Sequence, residues 1–304
     1  MDKEKVHLSN LIDTESPSAV YEEVTTIIRM MQPHFDYYAL DKIFQDVVRL
    51  YKGIYPGYRK CNTEYHDLRH TTDILLAMMR LMHGASMEGV SFSGEDIERG
   101  LISALMHDTG YIQASGDTIG TGAKYTLVHV KRSVSFMERY LNIIGYGRED
   151  CQVCRELILC TSNDAALSEM HFSTPEAERL GKLLATADII GQMADRTYLE
   201  QLLFLFREFS EAHIMRYKNE VELLEKTLQF YEVTRQRFAA DLQGMDRYAL
   251  PHFKAKWGLE RDLYREAIER NIKYLTFILR NHEKDYLNTL KRGGIVKKIR
   301  ESCA

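Results

Sequence analysis

The chain of 304 residues is long enough for one large domain or two modest ones, and its 45% hydrophobic and 28% charged content is ordinary for a globular protein. Its 40 basic against 44 acidic residues leave a formal charge of −4, which excludes a global basic field that recruits nucleic acid. No run approaches the ~18 apolar residues of a membrane span, and the opening MDKEKVHLSN has no apolar signal segment, so the expected setting is cytoplasmic and away from membranes.

The five cysteines, Cys61, Cys151, Cys154, Cys160 and Cys303, are an odd set without secreted-framework spacing. Cys151-x-x-Cys154 lacks a second ligand pair and reads as two reduced thiols on a helix.

Five prolines and long stretches of helical period predict an all-α protein. Segment 17–52 reads as two helices broken near Pro33. Segment 65–83 reads as one helix with Ile74, Leu75, Met78, Met79 and Met82 on its apolar stripe. Ser93 is placed to cap the next helix, which carries Ile97, Leu101 and Leu105 and ends near Gly110. Ser173-Thr-Pro-Glu176 fits a capping box ahead of Leu180, Leu183, Leu184 and Ala187. Segments 195–243 and 258–290 read as long helices, with Gly244 and PHFKAKWG (251–258) as their connector. The predicted organisation is N-terminal helices over 1–60, a metal-binding core over 61–200, and C-terminal helices over 201–304, the last either part of the same domain or a homodimer surface through Leu199–Phe209. The basic ending from Lys291-Arg292 to Arg300 reads as a frayed, solvated tail.

The chemistry sits in three separated segments: His66 and His70 in YHDLRH, His107-Asp108 in ALMHDTG, and Asp188 in LLATADII. His66 and His70 are four apart, and on a helix they share a face. Asp73 is spaced to orient the His70 ring from behind. Asp108 and Asp188 lie in apolar surroundings, where an ionised carboxylate costs several kcal/mol unless compensated. A divalent cation compensates both; the bland alternative pairs them with arginines such as Arg99 or Arg196. His129, in KYTLVHVKRS, is either a ligand to a second ion, a holder of water or phosphate, or a packed histidine. Lys124, Lys131 and Arg132 offer local positive charge to a phosphate, and at least one of them is expected to face solvent. The glycine-bearing stretch HDTGYIQASGDTIGTGAK between these helices lacks the pattern and preceding strand of a phosphate-binding P-loop and reads as a loop beside the site. An imidazole-carboxylate set suits a borderline divalent ion, which with an open position activates water near neutral pH. No nucleophile elbow or Ser/Cys-His-Asp pattern competes with that chemistry.

The order histidine, His-Asp doublet, distant aspartate resembles the HD-domain metal-dependent phosphohydrolase superfamily, with His70, His107-Asp108 and Asp188 in those places. The stretch YHDLRHTTDI, Tyr65 to Ile74, is similar to the YHNxxHAxDV helix of class I cyclic nucleotide phosphodiesterases, and Ala187-Asp188-Ile189 to their ADL. The likeness spans about residues 60–200. It implies a phosphodiesterase-like helical bundle and one or two divalent ions (Mn, Fe, Zn, Co or Mg) on His70, His107, Asp108 and Asp188. It further implies His66 as proton donor to the leaving oxygen and a small phosphate ester, a nucleotide, as substrate. Tyr111 stands where those enzymes carry a further histidine, Asp67 replaces their asparagine, and no residue aligns with their purine-gripping glutamine. The expected activity is therefore phosphodiester hydrolysis, with nucleotide phosphomonoester hydrolysis and a non-catalytic sensor or scaffold as alternatives.

Overall fold

A computed structural model describes residues 3–162, 167–214, 216–282 and 285–302. Cys303 lies outside them. Among these residues every regular element is helical: α1 (Pro17–Met31), α2 (Tyr38–Tyr51), α3 (Leu68–Met87), α4 (Gly94–Met106), α5 (His129–Ile144), α6 (Arg148–Leu159), α7 (Pro175–Ala194), α8 (Tyr198–Glu211), α9 (Glu220–Ala239), α10 (Ala249–Trp257), α11 (Leu263–Asn281), α12 (Tyr286–Thr289) and α13 (Ile295–Ser302), joined by short 3-10 turns. One isolated bridge, Tyr58 to Ala114, is the extended pairing they contain. The protein is all-α.

Local signals set the helix starts. Ser16 caps α1, with Pro17 at the first position. Ser93 and Asp96 form a reciprocal capping box on α4. The box expected at Ser173 is displaced by one residue. Thr174 accepts from Ala177 N and Pro175 opens α7, while Ser173 donates to Glu156 Oε2 at 2.9 Å. Helix α3 begins at Leu68, not at 65, because the Asp67 side chain accepts the His70 amide at 2.9 Å.

Helices α3 and α7 are buried on nearly every side and pack on each other at the centre. Around α3 lie α1, α4 and α10; α6 and α11 lie against α7. A Cβ on Gly84 of α3 would sit 1.7 Å from Tyr248 O, so only glycine permits the approach of the segment entering α10. One apolar core runs from Val6 to Ile299, with the C-terminal helices inside it.

Three features depart from the expected outline. The stretch 195–243 is two helices, turned at His213, whose φ is +56°. PHFKAKWG is largely the helix α10, since Pro251 falls in a first turn, where its missing N–H costs nothing. The basic tail is packed: Arg292 stacks over Tyr274 at 4.7 Å and donates to Arg196 O, and Ile295, Val296 and Ile299 are buried. The side chains of Lys298 and Arg300 lie outside the described residues. Cys151, Cys154 and Cys160 are buried free thiols whose burial raises their pKa, the latter two to about 12.

Candidate metal centre

The second half of helix α4, residues 100–106, is buried and mostly apolar, and His107 follows as its last turn opens. Asp108 follows at φ −112°, ψ 8°, a bend that turns its carboxylate back over the end of α3. Gly110 allows this: a Cβ there would sit 2.0 Å from His129 O, and its amide donates to Ser133 Oγ at 2.9 Å. The doublet is thereby fixed between α3, α5 and α7.

His70 Nε2 and His107 Nε2 each lie 3.3 Å from Asp108 Oδ2. Asp188 Oδ1, from α7, is 3.6 Å from the first nitrogen and 3.8 Å from the second. Both nitrogens are buried without a hydrogen-bond partner. His107 Nδ1 donates to Ala104 O at 2.8 Å, so in the neutral ring its Nε2 is a bare lone pair aimed at the acids. The ligand atoms of His70, His107 and Asp108 lie within 4.8 Å of one another and could hold a metal ion. Two orphaned imidazole nitrogens and two carboxylates on one small volume are a donor set suited to a borderline divalent cation. Arg99, the alternative partner for the acids, is committed to Asp150 at 2.7 Å.

Charge in this cluster is tightly bound. Burial opposes protonation of His107, but the adjoining Asp108 outweighs it and lifts the ring to about 9. Burial also opposes ionisation of Asp108, yet His107 and His70 hold it well below the usual carboxylate range. A cation in place of those protons satisfies the same acids.

His66 precedes the cap of α3, so its approach to His70, with ring centroids 5.7 Å apart, comes from the turn and not from a shared helix face. Its ring stacks on Tyr111 at 4.2 Å, and Tyr111 stacks on His129 at 4.5 Å. His129 Nδ1 donates to Thr126 O at 2.6 Å, leaving Nε2 3.6 Å from Asp108 Oδ1. Burial pushes the His129 pKa down. Asp108 thus faces two ways, Oδ2 to His70 and His107, Oδ1 to His129.

Residues outside the sequence-based set complete the centre. Glu208 of α8, 5% exposed, meets His66 Nδ1 at 2.6 Å and accepts from Tyr65 N at 2.7 Å. Burial works against charge on His66, but Glu208 raises its pKa above the ordinary imidazole value. Gln192 donates to Asp188 Oδ1 at 3.0 Å and accepts from Tyr65 OH at 2.8 Å, which fixes the direction of Asp188. Glu211, one turn beyond Glu208, accepts from the backbone and hydroxyl of Thr121 and ties the glycine-bearing loop to the same helix.

Three expected roles are corrected. Lys124 is spent on Asp117 and Ile119 O, and Arg132 on Gly110 O at 2.7 Å and Ile112 O at 3.1 Å, so both brace the loop and neither offers its charge to a phosphate. Lys131 is exposed. Asp73 faces Arg69 at 3.8 Å, a residue held mainly by Asp195, and does not orient His70. Burial, helped by Asp195, keeps Asp73 well above the usual carboxylate range. A cleft of about 550 Å³ lies behind α7, lined by Ile190, Met193, Phe238 and Ile268, and none of the metal-centre residues lines it.

Residues 37–248 match the model of the Npun_R2479-like family, a span that includes the whole of this centre. The chain belongs to the Npun_R2479-like family. The family name carries no activity, and no curated protein matches the chain. In this Npun_R2479-like chain the matched span also covers α8, and with it Glu208 and Glu211.

Proposed function

We infer that this protein is a metal-dependent phosphoric ester hydrolase acting on a phosphodiester, most simply that of a nucleotide. The observation that carries the reading is the pair of buried, unpartnered Nε2 atoms of His70 and His107 facing Asp108 and Asp188. The likeness of Tyr65 to Ile74 to class I cyclic nucleotide phosphodiesterases supports the same reaction class.

His70, His107, Asp108 and Asp188 would hold the ion, and Asp108 Oδ1 with His129 offers a second position. A bound divalent ion supplies Lewis acidity at phosphorus and an activated water. His66 contributes the proton. Its Nδ1 is engaged by Glu208, so its Nε2 edge serves the leaving oxygen, and general acid help of this kind is worth about 10²–10⁴-fold. With Lys124 and Arg132 committed to the loop, the reading favours a diester monoanion over a monoester dianion.

The test is elemental analysis of protein purified without chelator, followed by turnover of a bis-aryl phosphodiester and an aryl phosphomonoester. His107→Ala and Asp108→Ala are expected to lose both metal and turnover. His66→Ala is expected to keep metal and to slow an alkyl diester by about 10²–10⁴-fold while barely affecting an aryl one. Metal-replete protein inert on both esters would return the chain to a sensor or scaffold; turnover of the monoester alone would make it a phosphomonoesterase.

A further inference from the structure

Arg80 lies on α3, ten residues past His70, and is 2% exposed. Its Nη1 donates to Tyr264 OH at 3.2 Å, and its guanidinium lies against the rings of Phe253 at 5.6 Å and Tyr264 at 5.7 Å. Those rings favour the cation but do nothing for the N–H bonds in its plane. Nε and Nη2, which form the two-donor edge that matches an anion, are buried without any hydrogen-bond partner.

Other arginines show what this edge does when protein oxygens are within reach. Arg99 places Nε and Nη2 on Asp150, Arg155 on Glu138, Arg261 on Glu266, and Arg132 on two carbonyls. Among the described residues no carboxylate lies within 4 Å of Arg80 as an ion-pair partner. Lys256 of α10 pairs with Glu23 Oε2 of α1 at 3.2 Å, while Glu23 Oε1 is buried without a hydrogen-bond partner. Beside Arg80 stand His83 and His252, whose Nδ1 atoms meet at 3.2 Å, and His252 Nε2 is itself buried and unpartnered. A buried guanidinium without a counter-charge is strongly disfavoured; a small anion removes that penalty.

We propose that the open edge of Arg80, between α3, α10 and α11, binds a chloride ion that neutralises the guanidinium and fastens the C-terminal helices to the helix bearing His70. Arg80, His83 and His252 are all buried, so a bulky ligand does not reach that edge from solvent. The site is separate from the metal centre and does not depend on the hydrolase reading.

The experiment compares thermal unfolding of the full chain in sodium chloride and in sodium gluconate, an anion too large to enter, at matched ionic strength. Chloride is expected to raise Tm by roughly 2–3 °C per tenfold increase above its dissociation constant, and Arg80→Met is expected to abolish that difference. If Arg80→Met does not fold, bromide-soaked crystals of the unaltered protein decide, with an anomalous peak within hydrogen-bonding distance of both Nε and Nη2. Equal Tm in the two salts, a chloride effect that survives in Arg80→Met, or no bromide at that edge overturns the proposal and leaves a water there.

Discussion

His66 is held on one side by a carboxylate and on the other by the Tyr111 ring, so burial, which opposes its charge, and Glu208, which favours it, set its proton affinity. Because Glu208 raises the His66 pKa, the form able to donate a proton persists to higher pH and is lost as pH rises through that value. Replacing Glu208 by Gln keeps the shape and removes the charge. Turnover of an alkyl phosphodiester is expected to fall by about 10–100-fold, and the high-pH limb of its profile to move to lower pH, with metal content unchanged. An unshifted limb would detach Glu208 from the proton donor. The gathering of His70, His107 and Asp108, with Asp188 beside them, was legible in the sequence, because acids and imidazoles inside apolar runs demand compensation. Glu208 was less so, since it acts across 142 positions; its one signal is that it falls four residues after buried Phe204, on the inner stripe of α8. Lys124 and Arg132 were misread because a charge in a sequence does not disclose its partner.

Among the elements, the turn from α4 into α5 does the most positioning. Gly110 brings its backbone against His129 O, and Ser133 takes its amide, so one contact fixes Asp108 and His129 together. Gly110→Ala forces the two segments apart and is expected to cost about 2–3 kcal/mol, seen as a lower Tm, and to weaken metal uptake measured by isothermal titration. Wild-type stability with normal uptake would show that the close approach is dispensable. Ser93, Pro33 and Gly110 marked boundaries that the helices respect, because caps and breakers act within a few residues. The end of the tail and the short α10 were not legible, since packing against α8 and α3 stabilises them and periodicity does not encode it.

Across the whole molecule, acid sensitivity is built into the seam between α3 and α10. Burial and the nearby Lys256 push the His83 pKa down to about 4, and burial with Arg80 pushes His252 well below its ordinary value. The unfolded chain takes up these protons near pH 6.5 while the fold refuses them, so stability contributed above pH 6.5 is lost as pH falls toward about 4. Tm at constant chloride is expected to drop by several degrees across that window, and His83→Gln with His252→Gln to flatten the drop. A double variant with an unchanged slope would place the acid lability elsewhere. Helix α8 carries a second long-range link. Arg292 N donates to Glu200 at 3.0 Å and Arg207 donates to Ile299 O at 3.2 Å, so the last residues clasp the rod whose far turns hold Glu208 and Glu211. A chain shortened at Leu290, by 14 residues (304 − 290), should therefore still take up a divalent ion yet misplace His66, making that last stretch a remote throttle on the proposed turnover.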